Sequence, residues 1–228
     1  QNIKKVILTA SGGPFLNKSK NKIANIKPKF ALNHPNWKMG KKISIDSSTM
    51  MNKIFEFIEA KKIFNLKKKD IFILIHPKSY IHAIVYFKGG IIKLLAHDSK
   101  MIIPISNALG INKVKSDNLS IFQLNKYNNL NFSFPKNKNF PLLKVLKLIP
   151  ENESYFETIL ITLNDNLVEK YLSGKINYIS IHKNLLYFIQ CVYFKKFFKK
   201  KPLNIKDVKN MITITNLYLN NNIKYYEK

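Results

Sequence analysis

Through the first hundred residues the apolar positions come in short solid or alternating runs, each closed by a turn signal. "KKVILTA" (4–10) predicts a buried strand that runs into Ser11-Gly12-Gly13-Pro14, a break where backbone N–H groups can be exposed. "IFILI" (71–75), "IHAIVYF" (81–87) and "IIKLLA" (91–96) predict three more strands, the last two joined through Gly89-Gly90. Between the first and second strands the period changes. A helix is expected from Asp46 or Ser47, with a carboxylate or hydroxyl cap, to Phe64; Met51, Ile54, Phe55 and Ile58 form its apolar face. Another helix is expected within "KMIIPISNALG" (100–110), after an irregular turn, whereas residues 16–33, rich in Lys and Asn without a clean period, read as a mobile loop.

After residue 140 the period is helical almost to the end, over 142–149, 153–172, 180–198 and 205–223. Residues 112–139 are polar, hold one short strand and read as a connector. The expected fold class is therefore an α/β (α+β) domain with a small sheet and flanking helices, residues 1–112, with a mobile lid over about 16–40. A connector, 113–139, leads to an all-α C-terminal helical bundle, 140–228. No internal repeat is evident.

Charge complicates this picture less than its size suggests. The 228 residues carry a formal net charge of +26, which alone would point to nucleic acid or an anionic membrane. All 39 basic residues are lysines, however, and Arg is the side chain suited to bidentate phosphate and guanine recognition. Lys, Asn, Ile and Phe, residues of AT-rich codons, are inflated together along the whole length, so base bias explains the charge better than a selected polyanion surface. Cys191, the single cysteine, excludes an intrachain disulfide framework and fits a reducing compartment. No apolar run approaches the roughly 20 residues of a membrane span. "YFKKFFKKKPLN" (193–204) resembles a membrane-surface helix, but a Lys-rich helix C-terminus ahead of Pro202 explains it better.

One segment escapes the bias. "HPNWKMGKKISIDSSTMMNK" (34–53) holds the only Trp, three of the five Met and a run of small hydroxyl residues. Asn52, Lys53 and Glu56 fall at neighbouring positions on one helical face. Ser47 and Ser48 are expected at the helix N-terminus, where free N–H groups and the dipole favour an anion. With Ser11 and the Gly12-Gly13 backbone nearby, Ser47, Asn52 and Lys53 could enclose a phosphate. Taken singly, Ser47 also reads as a plain N-cap, and Lys53 with Glu56 as a plain surface pair. Glu56 suits Mg²⁺ or Mn²⁺, yet one carboxylate does not make a site, and no Asp-x-Glu or Asp-x-Asp occurs in the chain. His34, His76, His82 and His97 invite a zinc reading that Pro77 and the lack of a cysteine partner argue against. Trp37 and Met39 form either a ligand cover on a loop ending at Gly40 or an apolar anchor for that loop.

Four segments in order and spacing carry a resemblance: "SGGPF", "HPNWKMGKKISIDSSTMMNKIFEFIEA", "IHPKSYIHAIVYF" and "DSKMIIPISNAL". They closely resemble the catalytic domain of the 1-deoxy-D-xylulose 5-phosphate reductoisomerase family, isoprenoid-pathway enzymes inhibited by fosmidomycin. The likeness is strong over residues 4–110 and continues more thinly through "FPLLKVLKL" and "VEKYLSGKINYISI". It implies that Ser11, Ser47, Asn52 and Lys53 hold the substrate phosphate and that His34 contacts substrate from the lid. It also implies that Trp37 and Met39 form the lid's apolar cover, that Gly40 approaches NADPH, and that Glu56 ligates the divalent metal, Mn²⁺ or Mg²⁺. His82 falls in the family's "HPxSxIH" segment and is expected to support the site's architecture. A sugar-phosphate substrate, a homodimer, and no nucleic-acid or membrane partner are implied as well, in a bacterial cytoplasm or else a plastid-type organelle.

The chain also departs from the family pattern. The family's dinucleotide-binding domain, its Asp-x-Glu pair and a lysine upstream of that pair are not in this sequence. The start "QNIKKVILTASGG" reads like the middle of a protein, and roughly 150–200 upstream residues are expected. A family element like "LNAANE" stands here as "ITLND", with Ile161 in place of its first Asn, which implies altered helix packing there. The alternative to a metal-assisted NADPH reductoisomerase is a non-catalytic relic, or a sugar-phosphate-binding half-enzyme.

Overall fold

A computed structural model of the chain describes residues 2–16, 18, 23–33, 39–111, 128 and 130–223. Strand β1 (Ile3–Ala10) leads through a 3-10 turn, Gly13–Phe15, to a short helix α1 (Pro28–Ala31) and then to α2 (Lys41–Thr49) and α3 (Met51–Ile63). Strands β2 (Ile71–Ile75), β3 (Ile81–Phe87) and β4 (Ile92–Ala96) follow, with α4 (Ile102–Ala108) behind them. A 3-10 segment, Pro141–Lys147, opens the helical half: α5 (Phe156–Leu172), α6 (Tyr178–Gln190), α7 (Val192–Lys195) and α8 (Ile205–Asn222).

All four expected strands join one mixed sheet in the order β2-β1-β3-β4. β1 runs parallel to β2 with Leu8 opposite Ile73, so the intervening chain must cross over, and α2 and α3 make that crossover. β1–β3 and β3–β4 are antiparallel. Val6, Leu8 and Ala10 of β1 and Ile71, Ile73 and Ile75 of β2 are all buried, the two-residue period of a covered face. α3 lies against these two strands and buries Met51, Ile54, Phe57 and Ile58, while Phe55 is half-buried. β4, at the sheet edge, is exposed along its whole length.

The helix expected from Asp46 or Ser47 is corrected in two ways. It begins at Lys41 with Gly40 in the cap position, and it breaks at Met50, whose φ of 65° is left-handed. Ser47 is therefore not an N-cap; it stands in the last turn of α2. The physical reason is tertiary. Asp46, Ser47, Ser48 and Thr49 look like capping residues in sequence, but all are buried, and Asp46 and Ser48 bond to side chains of α5 and α6. A left-handed Met costs about 1–2 kcal/mol, a local strain that surrounding packing must offset.

The helical half differs from expectation in smaller ways. The segment expected as a helix over 142–149 is a 3-10 run, and the one expected over 180–198 breaks where Cys191 turns extended with ψ 148°. Asn177 and Asn204 cap α6 and α8, each side-chain oxygen accepting from a backbone N–H at 3.0 Å. Ile161 lies on the outer face of α5, half exposed, whereas Asn164 on the same helix is wholly buried. Within 16–33, residues 28–31 are helical and both Ile23 and Ala31 are buried. Most of the connector lies outside the described residues; Ser133 bridges to Ile75 and adds one rung beside β2. A single cluster of buried apolar side chains runs from Val6 to Ile223 and joins the sheet to the helices.

Gly13, with φ 64°, fixes how β1 meets α2. A Cβ placed there would stand 3.0 Å from the Ser47 carbonyl oxygen and 3.0 Å from Ser48 Cα, both backbone atoms that cannot swing aside. Gly13→Ala is expected to cost about 2 kcal/mol or more, a fall of about 4–8 °C in Tm for a protein of this size. Gly89→Ala, where a Cβ meets nothing within 4 Å, should change stability by less than about 0.5 kcal/mol. Thermal unfolding of the two variants checks this, and equal effects would contradict the close approach at Gly13.

Candidate functional site

A cleft of about 450 Å³ opens where β1 ends, β3 begins and β4 ends. Antiparallel pairing puts the start of β3 beside the end of β1, so Thr9, Ala10, Ser11 and Gly12 face Ile81 and His82 across it. α2 and α3 form another wall with Ile43, Ser47, Met50, Asn52, Lys53 and Glu56. The junction at Met50 is what turns both helices toward one space.

Each polar side chain in that wall has a definite setting. Ser11 Oγ accepts from Gly13 N–H at 3.1 Å, which folds the turn back on itself. Ser47 is buried next to it, its carbonyl against Gly13. Asn52 and Lys53 lie in the first turn of α3, and Asn52 Oδ1 is buried with no hydrogen-bond partner among the described residues. Lys53 Nζ lies 2.6 Å from both Glu56 carboxylate oxygens. The lysine side chain is only 13% exposed and the glutamate 38%, so this is a half-buried pair lining a cleft and not a surface pair. Lys53 is the one lysine among the described lining residues.

His82 and His97 face this wall as a stacked pair, ring centroids 3.7 Å apart and planes at 16°. His82 Nε2 is 2.9 Å from the His97 carbonyl, which only accepts, so that nitrogen carries the proton. Burial, then the charges of His97, Lys53 and His76, push the His82 pKa below its ordinary value against the opposing hydrogen bond to His97. His82 is thus neutral at neutral pH. His76 stands apart from this pair, wholly buried and stacked on Phe132 at 4.9 Å; it follows β2 whereas His82 lies in β3, so the two do not share a strand.

Of the residues singled out in the sequence, the cleft brings together Ser11, Met39, Ser47, Asn52, Lys53 and Glu56. Gly40 is not in the lining; it precedes α2, and a Cβ there would meet nothing within 4 Å. His34 and Trp37 lie outside the described residues. Ser79, Leu95, Met101 and Pro104 also line the cleft and were not legible in the sequence. Ser79 alone carried a signal, its place in a turn between two strands, where its φ is 56°.

The donor set can be tested against the groups the resemblance implies. Glu56 lines the cleft with its carboxylate paired to Lys53, and once parted from that lysine it fits as one oxygen ligand of a hard divalent cation. Among the described residues no three His, Cys, Asp or Glu side chains converge as a metal site, so Glu56 needs ligands from elsewhere. β1 and β2 form a parallel pair with a helical crossover, but the turn after β1 reads Ser11-Gly12-Gly13-Pro14 and carries no G-x-G-x-x-G run of the dinucleotide-binding kind.

Comparisons with known proteins identify the family of the chain. A family model described as "1-deoxy-D-xylulose 5-phosphate reductoisomerase C-terminal domain" matches residues 1–64, and one described as "DXP reductoisomerase C-terminal domain" matches residues 98–218. The chain is 51% identical over 213 residues to the 1-deoxy-D-xylulose 5-phosphate reductoisomerase of Pelagibacter ubique, covering 92% of this chain and 54% of that protein. It is 42% identical to that of Wolbachia pipientis over 78% of this chain and 46% of the relative. Among solved structures, a DOX-P reductoisomerase in complex with NADPH, fosmidomycin and magnesium superposes with a TM-score of 0.87 at 33% identity, over 98% of this chain and 56% of that one. The chain thus spans about half the length of the curated relatives it matches. One family model covers β1, α2 and α3 and the other covers α4 and most of the helical half, and the chain belongs to the 1-deoxy-D-xylulose 5-phosphate reductoisomerase family, whose C-terminal portion it matches.

Proposed function

We propose that this chain supplies the substrate-holding part of an enzyme that converts 1-deoxy-D-xylulose 5-phosphate to 2-C-methyl-D-erythritol 4-phosphate with NADPH and a divalent metal. The observation that carries this reading is the convergence of Ser11, Ser47, Asn52, Lys53 and Glu56 on one 450 Å³ cleft. Hydroxyls, an amide and one compact cation form the donor set a phosphate needs, and Glu56 stands one helical turn from Lys53.

In this reading Ser11, Ser47 and Asn52 bind the phosphate, and Lys53 balances its charge. Lys53 and Glu56, 2.6 Å apart, would part when substrate binds, the ammonium facing the phosphate and the carboxylate the cation. Glu56 would be one ligand of a divalent cation, which would supply Lewis-acid polarisation of the substrate carbonyl, and NADPH would supply hydride. The fixed phosphate provides binding energy that aligns the reacting carbons, and Met39, with Trp37 and His34 of the lid, excludes water from them. Gly40, at the end of the lid, stands open for the cofactor to approach. His82, kept neutral, completes the wall without adding charge.

The reading also includes a homodimer in the cytoplasm. The homodimer is supported by β4, an edge strand with Ile92 and Leu94 about half exposed, followed a few residues later by the exposed Ile102 and Ile105. No helix among the described residues is long and apolar enough to cross a membrane.

Three outcomes test this. With the full-length protein, Glu56→Gln should remove the metal-dependent part of fosmidomycin affinity, a loss of about tenfold or more; unchanged metal dependence in calorimetry would contradict the ligand assignment. Lys53→Ala should weaken 1-deoxy-D-xylulose 5-phosphate by about 10–100-fold, and Ser47→Ala by about fivefold, with phosphate-free 1-deoxy-D-xylulose affected far less. Equal losses for the two sugars would contradict the phosphate pocket. In sedimentation the parent should run as a dimer and Leu94→Lys as a weakened one; a monomeric parent would contradict the homodimer.

A further inference from the structure

Ser47 is the cleft residue with the least local support, because it precedes the left-handed Met50 and lies at the end of α2. Its two neighbours point elsewhere. Asp46 and Ser48 are buried and absent from the cleft lining, and each is held by a different helix of the C-terminal half. Asn164 Nδ2 on α5 donates to Asp46 Oδ1 at 2.8 Å, and Lys42 Nζ donates to Asp46 Oδ2 at 2.7 Å while reaching Asp165 Oδ1 at 3.0 Å. Tyr178 on α6 donates its hydroxyl to Ser48 Oγ at 3.0 Å, and Ser48 Oγ in turn donates to the Ile45 carbonyl at 2.7 Å.

Tyr178 does more than hold Ser48. Its ring meets Phe15 edge to face with centroids 5.1 Å apart, and Phe15 ends the same 3-10 turn that places Gly13 against the Ser47 carbonyl. One buried tyrosine therefore touches both the segment bearing Ser11 and the segment bearing Ser47. Hydrogen bonds depend on donor–acceptor distance and angle, so a displacement of either serine loses part of the donor set.

We propose that Asn164 and Tyr178 are positioning residues that set the Ser11–Ser47 spacing, so that the helical half of the chain tunes affinity for the phosphate of the substrate. This rests on the phosphate-pocket reading above. Asn164 acts through Asp46 and Tyr178 through Ser48; neither reaches the ligand. A merely structural role would lower Tm and leave ligand binding unchanged at temperatures well below it.

The test uses the full-length protein. Tyr178→Phe keeps the ring on Phe15 and removes only the hydroxyl, and Ser48→Ala removes its acceptor. Each is expected to raise the KM for 1-deoxy-D-xylulose 5-phosphate about fivefold, the factor of one neutral hydrogen bond, while kcat changes less than about twofold and phosphate-free 1-deoxy-D-xylulose inhibits as before. The double variant should lose no more than Ser48→Ala alone, which removes the Tyr178 contact together with the Ser48–Ile45 bond. Asn164→Leu should shift KM in the same direction. KM within twofold of the parent for Tyr178→Phe, with only Tm lowered, overturns the proposal. So does full additivity in the double variant. Ser47→Ala, measured alongside, separates the two levels: if it weakens the phosphate-bearing sugar and Tyr178→Phe does not, only the positioning fails. If Ser47→Ala also has no effect, the pocket reading falls and takes the positioning with it.

Discussion

The helix breaks at Met50 without a glycine, and the cleft depends on that break. A continuous helix over this segment would carry Ser47 and Lys53 around its axis to different faces. The left-handed Met50 instead lets α2 present its last turn and α3 its first turn to one space. The cost of the strained residue is met by burial, since Met50 and Met51 are almost wholly enclosed, and by the absence of a side chain at Gly13, which admits the α2 backbone at contact distance. The sheet contributes by ending β1 at this point. The helical half contributes by gripping the residues on either side of Ser47.

Electrostatics inside the cleft differ from those of the chain as a whole. A net charge of +26 is spread over 39 lysines, yet the described lining holds one lysine, and a glutamate neutralises it. The neighbouring imidazole is kept neutral by burial. Asp46, behind the wall, is pushed up in pKa by burial, with Lys42 and Asn164 opposing the shift through hydrogen bonds. In the proposed reading, such a site would recognise a small dianion through fixed short-range donors, and the surface charge would act at most on encounter rates.

Much of this was legible in the sequence, for physical reasons. Strands with a two-residue period and Gly-rich closures cannot easily be read otherwise, and all four form. The site segment stood out because Ser, Thr, Met and Trp resist a Lys/Asn/Ile background, and Ser11, Ser47, Asn52, Lys53 and Glu56 do line one cleft. The misreading was at the helix start. Hydroxyl and carboxylate side chains at 46–49 signal an N-cap when local bonding is all that is visible, and here their partners are Asn164 and Tyr178, more than a hundred residues away. The break at Met50 had no local signal, because a methionine in a left-handed conformation is imposed by packing. Leu95, Met101 and Pro104 were invisible for a similar reason: apolar residues become site residues only through the sheet order that brings β4 and the following turn to β3.

The central claim is that one cleft holds the substrate by its phosphate. A crystal structure of the full-length protein with 1-deoxy-D-xylulose 5-phosphate and magnesium tests it most directly. The account predicts the phosphate within hydrogen-bond distance of Ser11, Ser47, Asn52 and Lys53, with Lys53 parted from Glu56. Phosphate bound instead in the 320 Å³ hollow on the opposite face of the sheet, between Lys4, Lys5 and Tyr86, would contradict it.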